Sequence, residues 1–348
     1  METMLSTVAF YYYPWKGVFI YKDLRKCLIF AALACIIRPP STIIWIFLCL
    51  RLLWLKPVYR GLVLLLIIKV AVLAIGLMVI IDYSFYGEWI LTHWNFLSAN
   101  LISGLSEFYG THPFHWYFSQ GYPTILLTFL PWAVLGLIKE PYGPLVVWNT
   151  TILSLIKHKE FRFLGPMLPI MLLSAGKRIS FSKIANKIWG VVIGAQLVLA
   201  FYLSVYHQRG VIDVTHYLRN EAASGKVSAV FFLMPCHSTP YYSYVHHPVK
   251  MEFLTCEPPW NPHMIADNTE SLFYQNMDSF VQKSWLNTTK ELWPSHFVLF
   301  SNLNSTFSKH FVVIDPRYSL VNASFLIISA LIFLIVIGMM TVGERGIF

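Results

Sequence analysis

The hexapeptide HKEFRF, residues 158–163, sets an imidazole, two cations and a carboxylate in six positions, with Lys157 just ahead of it. His158, Lys159, Glu160 and Arg162 have the makings of an anion site. A guanidinium grips phosphate through two parallel hydrogen bonds, an ammonium adds a point charge, and a carboxylate holds one cation in place or handles a proton. The plainer alternative is that these cations snorkel to lipid headgroups from the end of an apolar helix.

A second stretch, EFYGTHPFHWYFSQGYP (107–123), interleaves aromatic rings with His112, His115 and Gln120. Trp116 and its aromatic neighbours suit the apolar faces of a sugar, and equally suit a bilayer interface. His112 and His115 are three residues apart, but Pro113 interrupts them and no third ligand is evident, so no metal site is expected there. Arg38, in IIRPPS, is a second phosphate contact or a simple anchor. Lys69, inside LLIIKVAVL, faces a helical interior or snorkels outward. Farther on, MPCHSTPYYSYVHHP gathers Cys236, His237, His246 and His247, and Cys256 follows. A disulfide or ordinary packing is expected of these cysteines ahead of a Cys/His metal site, and Tyr241, Tyr242 and Tyr244 line a surface suited to a glycan.

The elements that must hold these groups are written in the hydropathy. Of 348 residues, 56% are hydrophobic and 16% aromatic, beyond the roughly 45–50% apolar share of soluble domains. Apolar runs at 27–37, 42–55, 62–81, 123–138, 145–156, 164–175, 188–206 and 320–342 alternate with short polar joints. That pattern implies a mainly α, polytopic membrane helical bundle over 1–206, with a terminal span in 320–348. Several runs are shorter than a lone span needs, so neighbours must shelter them. Cys27, Cys35 and Cys49 fall inside runs and read as small hydrophobes. Between 207 and 319, VSAVFFLM, MEFLTC, HFVLFS and HFVVID read as short strands parted by Pro, Asn and Ser, which implies a small α/β domain.

The net charge of +9 is informative through its placement, because cytoplasmic loops carry the excess of Lys and Arg. Alternate joints hold Lys16, Lys22, Arg25 and Lys26; Arg51, Lys56 and Arg60; Lys139; Lys177, Arg178, Lys183 and Lys187; and Arg345. The intervening joints are poor in cations, and 82–120 has none. This puts 82–120 and the segment from His207 to about Ser319 on the lumenal side; the sequons at Asn287 and Asn304 fall in that segment and the one at Asn322 beside it. Asn149 heads a sequon inside an apolar run and is expected to stay unmodified. Lys157, Lys159 and Arg162 then break the charge bias on the lumenal side, which a phosphate ester at the headgroup level would explain. The membrane lipids are expected partners; a nucleic acid is not.

The stretches HKEFRFLGPMLP and FYGTHPFHWYFSQGYP together resemble glycosyltransferase family 22, lumenal mannosyltransferases of the endoplasmic reticulum membrane. YHQRGVIDV (206–214) and MPCHSTPYYSYVH (234–246) narrow the likeness to the branch acting on GPI-anchor precursors. The resemblance implies a GT-C fold with a lumenal α/β domain, dolichyl phosphate mannose as donor and a GPI glycolipid as acceptor receiving its third, α1,2-linked mannose. It implies no identified cofactor and leaves a divalent metal undecided. Carried onto this chain, it makes His158, Lys159, Glu160 and Arg162 the substrate-binding motif, with Lys159 and Arg162 bracing the departing phosphate. The family's acidic pair, which activates the acceptor hydroxyl, has no counterpart here. The opening METMLSTVAFYYYPWKG reads like the end of a helix already under way, so that pair is expected upstream. Asp82, Glu88, Glu107 and Glu160 are the remaining lumenal carboxylates, and none has a motif that makes it the base. Two rival readings remain: a non-catalytic relative that binds lipid-linked glycan, and a transporter of anionic lipid, for which no inverted repeat is found.

Overall fold

The computed structural model describes residues 1–16, 20–55, 57–182, 186–257, 268–287, 289, 293–300 and 303, and these are mainly helical. The run 320–342, the strand expected at HFVVID, the sequons at Asn304 and Asn322, and Lys56, Lys183 and Arg345 lie outside the described residues. The described residues fall into two compact units, one over Met1–Leu197 and one beginning at Val198.

The first unit contains α1 (Glu2–Tyr12), α2 (Tyr21–Ile37), α3 (Ser41–Leu55), α4 (Arg60–Tyr86), α5 (Thr92–Leu97), α6 (Tyr122–Leu126), α7 (Leu130–Leu137), α8 (Gly143–Leu155) and α9 (Leu168–Ser180). Helix α10 (Asn186–Val205) carries the boundary between the units. Two helical stretches, Pro57–Tyr86 and Lys187–Ala223, are long and apolar enough to cross a membrane.

Proline and glycine set most of the ends. Helix α2 stops at Ile37 because Pro39 and Pro40 follow: Arg38 turns extended, with φ −147°, and α3 restarts at Ser41. Helix α4 overruns the apolar stretch that ends at 81 and closes on Gly87, whose φ of 72° is left-handed. Asp82 therefore lies within α4 rather than at the head of a loop. Its buried carboxylate accepts hydrogen bonds from the backbone N–H (3.0 Å) and hydroxyl of Thr92, where α5 begins. Lys69 points outward from the same helix, one of its two expected settings.

Two apolar runs fold less regularly than a single helix. The run 123–138 divides into α6 and α7, because Pro131 near the start of α7 withholds an N–H; a 3₁₀ turn, Leu127–Phe129, joins them, with Leu127 at φ 48°. The run 164–175 opens as a 3₁₀ segment, Phe161–Met167, containing Pro166, and becomes α9 at Leu168. The core draws Phe10 from α1, Leu24 and Cys27 from α2, Ile44 and Leu48 from α3, Leu145 from α8, and Leu164 and Met167 from the 3₁₀ segment. Helices α7 and α9 touch backbone to backbone: a Cβ at Gly136 would lie 2.3 Å from the Ser174 carbonyl oxygen. Asn149 is only 2% exposed within α8, which removes it from any modifying enzyme's reach.

In the second unit, α11 (Gly210–Ala223) precedes β1 (Ala229–Leu233), α12 (Tyr242–Val245), β2 (Lys250–Phe253), α13 (Thr269–Gln275), α14 (Met277–Val281) and β3 (His296–Leu299). The strands form a parallel sheet in the order β2-β1-β3, with Val230 opposite Met251 on one side and His296 on the other. Alternation along the central strand feeds two cores. Val230 and Phe232 pack with Val214 and Leu218 of α11, while Leu233 packs with Phe273 of α13, Val281 of α14 and Trp285. Asn268 and Asn276 cap α13 and α14 by accepting from Ser271 (2.8 Å) and Ser279 (2.9 Å). Cys236 and Cys256 are joined as a disulfide, with Cα atoms 5.9 Å apart. Cys27, Cys35 and Cys49 are free.

Candidate functional site

HKEFRF follows the end of α8 and runs into the 3₁₀ segment before α9, so its backbone is not committed to a helical ladder. It pairs instead with 107–112. The Lys157 ammonium bonds the Glu107 carboxylate at 3.0 Å, His158 Nδ1 lies 2.9 Å from the Gly110 carbonyl, and the His112 N–H donates to the Lys157 carbonyl at 3.0 Å. The charged hexapeptide and the aromatic stretch, read separately in the sequence, are two edges of one loop cluster.

Within it the two expected phosphate cations are placed differently. Lys159 is 3% exposed and turns inward, donating to the carbonyls of His112 (3.0 Å) and Ile156 (2.5 Å). Burial pushes its pKa down. Lys159 thus braces the loop rather than presenting its charge to a ligand. Arg162 is the outward cation: its side chain is 60% exposed, and Nη2 and Nε both reach the Glu160 carboxylate, Nη2 at 2.5 Å. Glu160 also takes His158 Nε2 at 2.8 Å. Both nitrogens of His158 therefore face oxygens, the Gly110 carbonyl and the Glu160 carboxylate, which fixes the plane of the ring between the two stretches.

The aromatic wall is formed by Trp116, 4% exposed, with the His112 ring stacked on it at 4.7 Å and Phe161 tilted against it at 4.8 Å. His115 goes elsewhere, to the Ser119 hydroxyl at 2.9 Å. Arg38 reaches the cluster from the end of α2: its guanidinium lies 5.1 Å over the Phe163 ring and bonds Glu2 at 2.9 Å. Four fixed cations (Lys157, Lys159, Arg162 and Arg38) thus face three carboxylates, so the cluster is net positive before His158 is counted. Each of those carboxylates is already bonded, as is Asp82.

Sequence reasoning missed Glu2, Gly110 and Phe163. Glu2 lies far from its partner along the chain, and Gly110 acts through its carbonyl; only the charge of Glu2 at the head of an apolar helix was a visible signal. In the second unit, Cys236, His237 and Cys256 converge to within 4.8 Å, the one such three-ligand group among the described residues. The disulfide consumes both sulfurs, so neither is a thiolate ligand. Tyr241 and Tyr242 turn their hydroxyls to the carbonyls of Met251 and Val249, the latter at 2.8 Å, and Tyr244 is left exposed.

Comparison with known proteins matches residues 1–246 to the Alg9-like mannosyltransferase family. Mannosyltransferase APTG1 of Arabidopsis thaliana is 35% identical over 87% of this chain and 60% of its own length. GPI alpha-1,2-mannosyltransferase 3 of Homo sapiens is 36% identical over 88% of this chain and 57% of its own. GPI mannosyltransferase 3 of Debaryomyces hansenii is 34% identical over 87% and 61%, so the chain spans about three fifths of the length of these relatives. No solved structure matches. A family match over more than half of the chain, carried through the loop cluster just described, makes this protein a member of the Alg9-like mannosyltransferase family.

Proposed function

We propose that the chain forms part of an enzyme that transfers the third, α1,2-linked mannose from dolichyl phosphate mannose to a GPI-anchor precursor at the lumenal face of the endoplasmic reticulum membrane. The observation that carries this reading is the outward guanidinium of Arg162, held by the Glu160 carboxylate that also meets His158, within the loop cluster that contains the aromatic stretch. A prenyl-linked phosphate suits such a cluster, with its charge on Arg162 and its sugar against the exposed rings of the aromatic stretch, Phe114 and Phe118. As the bond between mannose and phosphate breaks, negative charge grows on the phosphate, and a fixed guanidinium stabilises that charge most at the transition state. Lys159 contributes by holding the loop in register through two carbonyls. The GT-C bundle over 1–206, the lumenal domain over 207–319 and the terminal span in 320–348 belong to the same proposal, supported by the loop charge bias.

The acceptor hydroxyl needs a base, and the bonded state of Glu2, Glu107 and Glu160 favours none of them. That observation supports a second reading, in which this chain alone binds the lipid-linked sugar without transferring it. Expression in cells lacking the third GPI mannosyltransferase separates the two. Return of GPI-anchored proteins to the surface with this chain alone supports transfer. Return only with an upstream extension carrying an acidic pair supports binding here and catalysis there. Transfer that persists unchanged after Arg162→Ala in the competent form overturns the phosphate role.

A further inference from the structure

We infer that Glu2 is a positioning residue of the phosphate site, acting through Arg38 and Phe163 on the loop that presents Arg162. The inference rests on the reading of that loop as a phosphate site. Glu2 stands in α1 and is 8% exposed. One carboxylate oxygen accepts the Ser41 hydroxyl at 2.5 Å and the other accepts Arg38 Nη1 at 2.9 Å. Ser41, wholly buried, opens α3, and Arg38 closes α2, so a single carboxylate fastens the head of α1 to the turn between two other helices.

Its reach extends further. The Arg38 guanidinium lies 5.1 Å over the Phe163 ring, and the Arg162 guanidinium lies 5.8 Å from the same ring. Two cations would repel across one ring unless each is held by its own carboxylate, and here each is: Glu2 holds Arg38 and Glu160 holds Arg162. The Phe163 N–H donates to the Glu160 carbonyl at 3.2 Å, so the ring Arg38 covers belongs to the turn that sets Glu160 and Arg162. With the Glu2 charge removed, Arg38 becomes a half-buried guanidinium without its counter-ion and is drawn to the nearest other carboxylate or out to solvent. Either movement uncovers Phe163 and releases the turn that carries Arg162.

The test uses the purified full chain in detergent micelles, with dolichyl phosphate as the probe and inorganic phosphate as the arm that separates headgroup from lipid recognition. Glu2→Gln keeps the shape and the hydrogen bond to Ser41 but not the charge. Arg38→Lys keeps the ion pair, and with it the fold, but cannot lay a planar group on Phe163. Each is expected to weaken binding of both probes about tenfold, the scale of one charge-assisted hydrogen bond, with the thermal midpoint of Arg38→Lys unchanged. Wild-type binding by both variants, while Arg162→Gln binds poorly, overturns the positioning role and leaves the phosphate site standing. Wild-type binding by Arg162→Gln as well overturns the phosphate reading itself.

Discussion

The hexapeptide loop and the loop of the second unit between β1 and β2 solve one problem by opposite means. Both must hold irregular backbone carrying His and aromatic side chains. The first does it with charges: Lys157, His158, Lys159 and Arg162 are each tied to an oxygen elsewhere in the loop cluster. The second does it with a covalent bond, Cys236–Cys256, around a segment in which His237, Tyr241 and His246 all have positive φ. Non-glycine residues in that region are strained, and the strain persists only where the surroundings over-determine it. Ionic ties let a loop exchange partners when a charged ligand arrives, whereas a disulfide fixes its loop whether or not a ligand is present.

The comparison breaks most visibly at Lys159. Lys159→Met should leave two carbonyls without their donor, at about 1–3 kcal/mol each, and lower the thermal midpoint in detergent while freeing the loop to proteases. A smaller loss, about 2–4 kcal/mol, is expected when Cys236 and Cys256 are both replaced by Ser, with faster proteolysis confined to the second unit. Equal proteolysis of both loops in either variant would erase the contrast. As a control on neither loop, Gly136→Ala should cost about 1–3 kcal/mol through overpacking against Ser174, read as a lower midpoint with both loops still protected. Arg162→Lys should leave the midpoint in place while weakening dolichyl phosphate binding, because an ammonium cannot hold Glu160 through two nitrogens and still offer further N–H groups to a phosphate.

The smallest effect sharpens the comparison from the second unit. Burial holds the His296 imidazole below its ordinary value, against a weaker upward pull from Glu221. The unfolded chain then takes up the proton first, so stability is level above the ordinary value of roughly 6.5 and falls as pH drops toward the folded one. His296→Gln should flatten that slope in thermal unfolding between neutral and mildly acid pH.

Helix positions were legible because apolar runs and their Pro and Gly ends are local signals, as at Pro39–Pro40 and Gly87. The three described strands were legible from β-branched and aromatic clustering, as in AVFFL. What hydropathy does not encode is the backbone detail inside a run, which is why the division at Leu127 and the extension of α4 through Asp82 departed from expectation. The hexapeptide was legible as a charge anomaly. Which of its cations faces outward was not, because the choice depends on the carbonyls of His112 and Ile156. The role of Glu2 was hidden for a similar reason: its charge could be seen, but a partner 36 residues away leaves no mark on local composition.

The turn at Leu127 also bears on the order in which the first unit can pack. Pro123 to Ile138, even as one continuous helix, would measure ~24 Å at ~1.5 Å per residue, short of the ~30 Å hydrocarbon slab. Split in two, its backbone has interrupted amide groups that lipid tails have no means to solvate. The Gln196 side chain of α10 bonds the Thr128 hydroxyl beside the interruption. This stretch leans on a helix synthesised after it, so it reaches its final packing only once α10 is in place.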